Sequence, residues 1–315
     1  MTYFLLRRTA GFVLTLVAVS VVVFFVMNLL PGDPALVILG IDSSEEARAA
    51  LRAQLGLDAP PWIRYLDWVG GALRGDFGIS YSFRVPVSEL ILERLPMTIA
   101  LALIATALTV VLALAMGVYA AANHRKAGDW GVMVISQLGI AIPAFWLAIL
   151  LVILFAVHLR WLPPGGFPGW SDPGAAFRAL ILPATSLAVV QAAVLARVTR
   201  SSVLEVMRQD FVRTATASGL SRRRVMWGHV LPNALVPVVT IVGLQFANLV
   251  TGTIVIENVF YLPGLGRLVF QSIANRDLVT VQALVMLFAV IVVTANFIVD
   301  LLYLWIDPRL RGRMG

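Results

Sequence analysis

Apolar residues in this chain fall into blocks of about 20, and this pattern restricts the fold more than any other feature. A helix of that length crosses the hydrocarbon core of a bilayer, whereas a membrane β-barrel would show alternating segments of roughly ten residues. We therefore predict an all-α polytopic membrane protein with about six transmembrane helices. The predicted spans are 9–30, 97–122, 131–157, 179–196, 234–256 and 279–306.

Composition excludes several other classes of protein. Hydrophobic residues make up 60% of the chain and charged residues only 13%, too few to cover a soluble domain of this size. Cysteine is absent, so no disulfide, thiolate nucleophile or cysteine-ligated metal can form. The three histidines are far apart in sequence, and we expect neither a metal site nor catalytic residues.

The distribution of basic residues predicts the orientation in the membrane. Membrane proteins concentrate arginine and lysine in short cytoplasmic loops, which explains the net charge of +7 without nucleic acid. The basic side would hold Arg7, Arg8, Arg125, Lys126, Arg197, Arg200, Arg208, Arg213, Arg222, Arg223, Arg224, Arg309, Arg311 and Arg313. Both termini are therefore predicted to be cytoplasmic.

Four segments follow from these spans. Residues 1–30 are an anchor helix, because its apolar block is longer than the roughly 7–15 apolar residues of a signal peptide. Residues 31–96 form an extracytoplasmic loop, 97–306 the transmembrane core with a cytoplasmic loop at 200–233, and 307–315 a cytoplasmic tail. The fourth span, which contains Pro183, is the shortest prediction.

The long loop at 31–96 is predicted to contain short helices. Ser43 and Glu46 have the spacing of a capping box, and Gly56 can end the helix that follows. After two prolines, Trp62, Tyr65, Trp68 and Val69 share one helical face. These helices could form a cap that faces substrate or a packing element without ligand contacts.

The chain lacks the sequence motifs of an ATPase or a serine hydrolase. Its one lysine, Lys126, follows Arg125 and not the glycine loop of a nucleotide-binding P-loop, and no G-x-S-x-G motif is present. A secondary transporter usually buries ionisable residues inside its membrane spans for ion coupling. The predicted spans of this chain are uncharged, with Asp300 as the clear exception. We therefore expect a partner to supply the energy.

The cytoplasmic loop carries a pattern of small residues and turn residues. Thr214, Ala215 and Ala217 allow close approach, and Gly219 permits a positive-φ turn. Ser221 can cap the next helix, and Leu231-Pro232 marks where the chain re-enters the membrane. A basic loop that contacts anionic lipid is the alternative, but lipid contact needs charge and not this pattern.

The ordered motifs of the chain then point to one family. The loop reads Arg213-Thr214-Ala215-x-Ala217-x-Gly219-Leu220, and Leu231-Pro232 follows the glycine by twelve residues. Other motifs are Leu30-Pro31-Gly32-Asp33-Pro34, Gly75-Asp76-Phe77-Gly78-x-Ser80, Arg197-x-Thr199-Arg200-Ser201-Ser202, Asn233-Ala234-x-x-Pro237-Val238, Pro263-Gly264-x-Gly266-Arg267, Val299-Asp300-x-x-Tyr303 and Asp307-Pro308-Arg309. Together they resemble the dipeptide, oligopeptide and nickel branch of ATP-binding cassette (ABC) importer permeases.

This resemblance implies a type I ABC importer permease and a set of partners. The partners would be a second permease in a heterodimer, one or two ABC ATPase subunits that hold ATP and Mg²⁺, an extracytoplasmic solute-binding protein and membrane lipid. The location implied is the bacterial cytoplasmic membrane. The loop would dock on the ATPase through Arg213, Thr214, Ala215, Ala217, Gly219, Leu220, Leu231 and Pro232.

Two residues depart from the general motif. Arg213 stands where the general motif has glutamate, as is usual in the peptide branch, and Ser218 stands where that branch has a basic residue. The substitution at Ser218 leaves docking possible but removes a charge from this position.

Polar residues inside the spans are candidates for the substrate path. They are Gln137, Gln191, Gln245, Asn248 and Gly252, of which the last three share a helical face. Amide side chains suit a peptide backbone, but they also join neighbouring helices. For this face, substrate contact and helix packing both stay open.

Function is predicted as import of dipeptides or oligopeptides, with nickel, glutathione or another small solute as the alternative. A stand-alone secondary transporter or channel and an assembly factor without a transport role are the rivals from other classes. The pattern at Thr214–Gly219 argues against both rivals, because neither needs an ATPase-docking loop.

Overall fold

The computed structural model describes residues 2–29, 34–40, 42–54 and 56–306. The predicted motif residues 30–33 and 307–309, and the predicted tail at 307–315, lie outside these residues. Within them, the chain is helical and has no strand beyond an isolated bridge between Ile79 and Pro86. This confirms the predicted all-α class.

The helices are α1 (Thr2–Leu29), α2 (Pro34–Leu39), α3 (Glu45–Gln54), α4 (Pro61–Leu73), α5 (Val87–Ala122), α6 (Ala127–Ala141), α7 (Ala144–Leu151), α8 (Pro173–Val206), α9 (Asp210–Ala217), α10 (Arg222–Val225), α11 (Leu231–Val259), α12 (Leu265–Ala274) and α13 (Leu278–Ile306). Two π-helical turns extend them, at Val152–His158 after α7 and at Met226–Val230 before α11.

Among the described residues, five helices are long and apolar enough to cross a membrane, or up to six if one bent pair forms a single span. The bent pair is the third predicted span, where Ala127–Ala141 and Ala144–His158 meet at 102°. Pro143 explains the bend, because proline cannot donate to the preceding turn and forces the residue before it out of helical geometry. Ile142 is accordingly extended, with φ −88° and ψ 123°.

The fourth predicted span, 179–196, lies inside a longer helix. Helix α8 has 34 residues, and its most apolar window is the most buried of the five candidates. The helix begins where the Asp172 carboxylate accepts a hydrogen bond from Ala175 N at 3.0 Å and Pro173 takes the first turn. It continues through Pro183, which membrane helices tolerate because neighbouring groups satisfy the freed backbone.

The first compact unit consists of residues 1–98 and 263–294. It holds the predicted short helices α3 and α4, and Gly56 ends the first of these segments with φ +66° as predicted. The predicted cap was wrong by one residue: Ser44 Oγ accepts from Ala47 N at 3.2 Å, while Ser43 Oγ donates to Gly40 O at 2.7 Å. Tyr65 and Trp68 of α4 pack on Phe24 of α1, with ring centroids 5.4 and 5.9 Å away.

The same unit fixes the start of α13 through a buried carboxylate. Asp277 is fully buried and caps the helix by accepting from Thr280 N at 3.3 Å and Thr280 Oγ1 at 2.8 Å. The Ser80 hydroxyl also donates to Asp277. Thr98 Oγ1 of α5 accepts a hydrogen bond from Leu265 N at 2.9 Å, and this bond joins α5 to the first turn of α12.

The second compact unit consists of residues 99–262 and 295–315. Helix α8 is its centre and packs against α6, α7 and α11. Small residues permit the closest approaches: a Cβ on Gly117 of α5 would lie 2.6 Å from Thr199 Cβ of α8. Alanines line the inner side of α8, and this explains how so long a helix is buried among four others.

Candidate functional site

The loop between α8 and α11 folds as two short helices joined by a tight turn. Helix α9 ends at Ala217, and Gly219 adopts φ +83° before the chain reverses. No atom lies within 4 Å of a Cβ built on Gly219, so this position favours glycine for its backbone conformation and not for lack of space. Ser221 Oγ accepts from Arg224 N at 3.4 Å and caps α10, as predicted.

One face of α9 packs into the second unit. Val212 is buried, and Ala215 and Leu220 pack beside it in partly buried positions. The buried members of this hydrophobic cluster are Ala121, Val203, Val212, Val225, Val230 and Ala234. They come from α5, α8, α9, α10, α11 and the turn before α11. Helix α9 therefore packs against the ends of the long helices α5, α8 and α11.

The opposite side of α9 is solvent-exposed and presents small side chains beside an aromatic ring. We define its outer face as Phe211, Thr214, Ala217 and Ser218, all of them exposed. The hydroxyls of this face bond to their own helix, Thr214 Oγ1 to Asp210 O at 3.0 Å and Ser218 Oγ to Thr214 O at 2.9 Å. The outer face therefore offers methyl groups and the Phe211 ring more than free polar groups.

The other predicted docking residues take different positions. Arg213 is exposed and lies 3.4 Å from the Asp210 carboxylate. Ala215 and Leu220 face the cluster, and Leu231 is buried whereas Pro232 is exposed. Phe211 was absent from the prediction, although a single aromatic residue beside the small ones was visible in the sequence.

Pro232 lies in the first turn of α11, but this helix does not begin after a break in the chain. The helical path is continuous from Arg222 to Val259 and passes through the π-helical turn. Leu231 N bonds to Met226 O, five residues back, which makes room for a proline that cannot donate. Asn233 Nδ2 donates to His229 O at 2.8 Å and satisfies a carbonyl near this defect.

A buried ion pair, which sequence reasoning missed, joins α6 and α8. Asp129 and Arg200 form two hydrogen bonds, 2.5 Å between Oδ1 and Nε and 2.7 Å between Oδ2 and Nη2. His124 Nδ1 lies 3.2 Å from Asp129 Oδ2, and Arg125 N donates to the same oxygen at 3.0 Å. An acidic residue at the edge of an apolar block was the available signal, but the sequence does not reveal its partner 71 residues away.

The predicted substrate-path residues divide into packed and exposed positions. Gln245 is 5% exposed, and its Nε2 donates to the backbone oxygen of Gln191 at 3.1 Å, so it joins α11 to α8. Gly252 also faces α8, where a Cβ would lie 3.1 Å from Leu187 Cδ2. Asn248 is exposed on α11, and Gln137 is exposed on α6.

The exposed face of α11 is mixed in character. It consists of Leu244, Asn248, Thr251 and Val255, at helical spacing. Thr251 Oγ1 bonds to Ala247 O at 3.2 Å, which leaves the Asn248 amide as its main free polar group. In the described part of the chain, no group of three histidine or carboxylate residues could hold a metal ion.

Comparison with known sequences finds two family models that match this chain. The sequence model of the binding-protein-dependent transport system inner membrane component matches residues 113–312, and the model of the N-terminal part of such membrane components matches residues 1–102. The first match alone covers more than half of the chain, including the whole loop from α9 to α11.

Three relatives extend over almost the entire chain. A Brucella abortus (strain 2308) protein assigned as a peptide transport system permease is 45% identical over 312 residues, 99% of each chain. The oligopeptide transport system permease protein AppB of Bacillus subtilis (strain 168) is 38% identical over 98% of this chain and 99% of its own. The glutathione transport system permease protein GsiC of Salmonella typhi is 41% identical over 99% of both.

A solved structure supports the fold. The crystal structure of an amino acid ABC transporter with histidines matches 69% of this chain and 94% of its own with a TM-score of 0.50. Sequence identity is 18%, so this likeness concerns the arrangement of helices and not the substrate.

Proposed function

Because the chain belongs to the binding-protein-dependent transport system inner membrane components, we propose that it forms, with a second permease, the path by which peptides enter the cell. The relatives named for peptide and oligopeptide transport support dipeptides or oligopeptides as the substrate. Glutathione is the second candidate, favoured by 41% identity to a glutathione permease.

The observation that carries the proposal is the outer face of α9. Its small side chains and the Phe211 ring are exposed, while the inner face is fixed to the ends of α5, α8 and α11. An ATPase subunit that binds the outer face would move these helices together when it binds and hydrolyses ATP. ATP and Mg²⁺ belong in that partner, since this sequence has no P-loop.

The proposed orientation follows from the same assignment. The loop from α9 to α10 lies in the cytoplasm with both termini, and the segment at 31–96 faces the other side of the bacterial inner membrane. Arg222, Arg223 and Arg224 beside the loop agree with the preference for positive residues on the cytoplasmic side. An extracytoplasmic binding protein would deliver the peptide to this permease pair.

Site-directed cross-linking tests the docking proposal directly. The chain has no cysteine, so a single introduced cysteine is the only thiol of this chain to which a bifunctional cross-linker can attach. Ser218→Cys places a thiol on the exposed outer face, and Ser171→Cys, also an exposed serine, is the matched control before α8. Ser218→Cys is expected to cross-link to the ATPase in the assembled transporter, and Ser171→Cys is not. An absent Ser218→Cys adduct in an active complex would contradict docking.

Uptake distinguishes the substrates. A deletion strain would be complemented with the wild-type gene and supplied with labelled dialanine, trialanine, pentaalanine or glutathione. ATP-dependent uptake of the alanine peptides supports the main proposal, whereas uptake of glutathione alone supports the second candidate.

A further inference from the structure

A cavity of about 840 Å³ lies within the first unit, on the side of the segment at 31–96. It is lined by the end of α1, by the end of α3 and residues 56–59, by α4, by residues 76–81 and by the start of α13. A volume of this size is typical of sites that bind small molecules. Neither the docking proposal nor the polar residues of the spans uses this cavity.

Arg64, Tyr81 and Gln282 bring hydrogen-bond donors to one part of the cavity. Arg64 Nη2 donates to Asn28 Oδ1 at 2.6 Å, but its guanidinium has no carboxylate at ion-pair distance among the described residues. Gln282 Nε2 is buried and has no hydrogen-bond partner there. The Tyr81 hydroxyl likewise bonds to no described residue. Of the three, only the Gln282 donor is buried without an acceptor, which is costly, and an anionic ligand that accepted from it would remove that cost.

The Tyr81 hydroxyl is held in the form that donates. Burial raises the pKa of Tyr81 above its ordinary value, and the nearby Asp277 carboxylate raises it further, whereas the Arg64 charge acts in the opposite direction. The phenol is therefore protonated at neutral pH and can donate to an anion.

Carboxylates and aromatic rings form another part of the lining. Asp67, one helical turn after Arg64, is exposed and bonds to no described residue. Asp76 accepts from Gly78 N at 2.9 Å through Oδ1, which leaves Oδ2 for a ligand. Phe24 and Trp68 form an apolar wall, with ring centroids 5.9 Å apart. The cavity thus combines anion-binding donors, cation-binding carboxylates and apolar surface.

From this combination we propose that the cavity binds a small zwitterion, with its anionic group at Arg64, Tyr81 and Gln282 and its ammonium group at Asp67 and Asp76. Two sources share this chemistry: a short peptide before it enters the membrane path, and the headgroup of a zwitterionic phospholipid. The peptide source rests on the proposed function, whereas the lipid source does not.

Gln282 gives a test in which ligand binding, and not stability, distinguishes a packing role from a binding role. If Gln282 only packs, Gln282→Met removes an unsatisfied donor and leaves stability unchanged or higher. If it holds a ligand, the same variant keeps or raises the Tm but weakens binding by about tenfold. Arg64→Gln should also weaken binding by about tenfold, whereas Arg74→Gln, on an exposed arginine outside the cavity, is the matched control.

The first arm of the experiment uses a peptide probe. The complete complex without its binding protein is placed in phosphatidylglycerol nanodiscs and titrated calorimetrically with dialanine. N-acetyl-dialanine amide, which has the same backbone without charges, is the comparison. Binding of dialanine but not of the capped probe, weakened in Gln282→Met and Arg64→Gln only, identifies a peptide site.

The second arm uses lipid. Native mass spectrometry measures phosphatidylethanolamine retained by the complex from mixed phosphatidylethanolamine and phosphatidylglycerol nanodiscs. Retention that falls in Gln282→Met and Arg64→Gln but not in Arg74→Gln identifies the lipid source. The inference is overturned if neither probe is affected by the two cavity variants. ATP-driven peptide uptake, measured separately with the binding protein, shows whether the proposed function stands independently of this result.

Discussion

Arg200 and Asp129 join α8 to α6 through two hydrogen bonds, 2.5 Å at Nε and 2.7 Å at Nη2, where the Asp129 side chain is 5% exposed. His124 and the backbone of Arg125 occupy further positions around the same carboxylate. The pair lies at the end of α6 that follows α5, close in sequence to the arginines of the predicted cytoplasmic side. It fixes two membrane helices of the second unit to each other.

Asp129→Asn should therefore destabilise the protein strongly. The substitution leaves the Arg200 guanidinium, 23% exposed, without its counter-charge. Loss of one partner of a fully buried pair costs roughly 3–5 kcal/mol, and partial exposure of Arg200 reduces our expectation to about 2–3 kcal/mol. A lower Tm of the purified complex in detergent would be the measurement.

The control for this prediction is Asp210→Asn. Asp210 also pairs with an arginine, but its partner Arg213 lies 3.4 Å away and both side chains are largely solvent-exposed. Water screens such a pair, so the Tm should not change measurably. Equal Tm values for Asp129→Asn and the wild type would contradict a structural role of the buried pair.

The class of fold could be predicted from the sequence, because the length of an apolar block is a local property of the chain. The sequence also placed Gly56, Gly219 and Ser221 correctly, since turns and caps depend on a few adjacent residues. The predicted span at 97–122 begins ten residues inside α5, because the first part of the helix, Val87–Pro96, carries Glu89, Glu93 and Arg94 and is not apolar.

Properties that depend on distant residues were beyond the sequence. The bend at Pro143 was hidden in one apolar block, and proline inside α8 causes no such break. The pairing of Asp129 with Arg200 and the inward position of Ala215 depend on helix packing. Helix packing also decides that Gln245 is buried and Asn248 is exposed, although the two lie only three residues apart.

Gly219→Ala tests whether the turn after α9 matters for transport. At φ +83° an alanine is strained by about 1 kcal/mol or more, although no atom obstructs its Cβ. We expect the transporter to assemble while peptide-stimulated ATP hydrolysis and uptake fall, because the outer face of α9 would be misplaced. The measurements are uptake and ATPase activity in proteoliposomes.

Gly228→Ala is the matched control for the turn. Gly228 lies in the same loop, has no positive φ and has no atom within 4 Å of a built Cβ. Alanine is a better helix former than glycine, so this variant should retain coupling. Coupled uptake at the wild-type level in Gly219→Ala would show that the turn geometry is dispensable.

Gln245→Leu and Asn248→Leu should have different effects. Gln245 contributes one hydrogen bond to the Gln191 carbonyl, and its buried Oε1 has no partner among the described residues, so leucine should change stability by less than about 1 kcal/mol and leave uptake intact. Asn248 is exposed on α11, so leucine should leave the Tm unchanged but reduce uptake if this face lines the path. The reverse pattern, with uptake lost only in Gln245→Leu, would exclude this assignment.

Gly117→Ala should disrupt the contact between α5 and α8. A Cβ at this position would lie 2.6 Å from Thr199 Cβ and 2.8 Å from the Ala196 backbone oxygen, and the backbone cannot rotate away as a side chain can. Overpacking of this kind costs about 1–3 kcal/mol, so the Tm should fall clearly. Gly131→Ala in α6 is the control: nothing lies within 4 Å of its Cβ, and the helix should gain roughly 0.5–1 kcal/mol. Opposite shifts of the two Tm values would support the close crossing, whereas a stabilising Gly117→Ala would show that α5 and α8 lie farther apart.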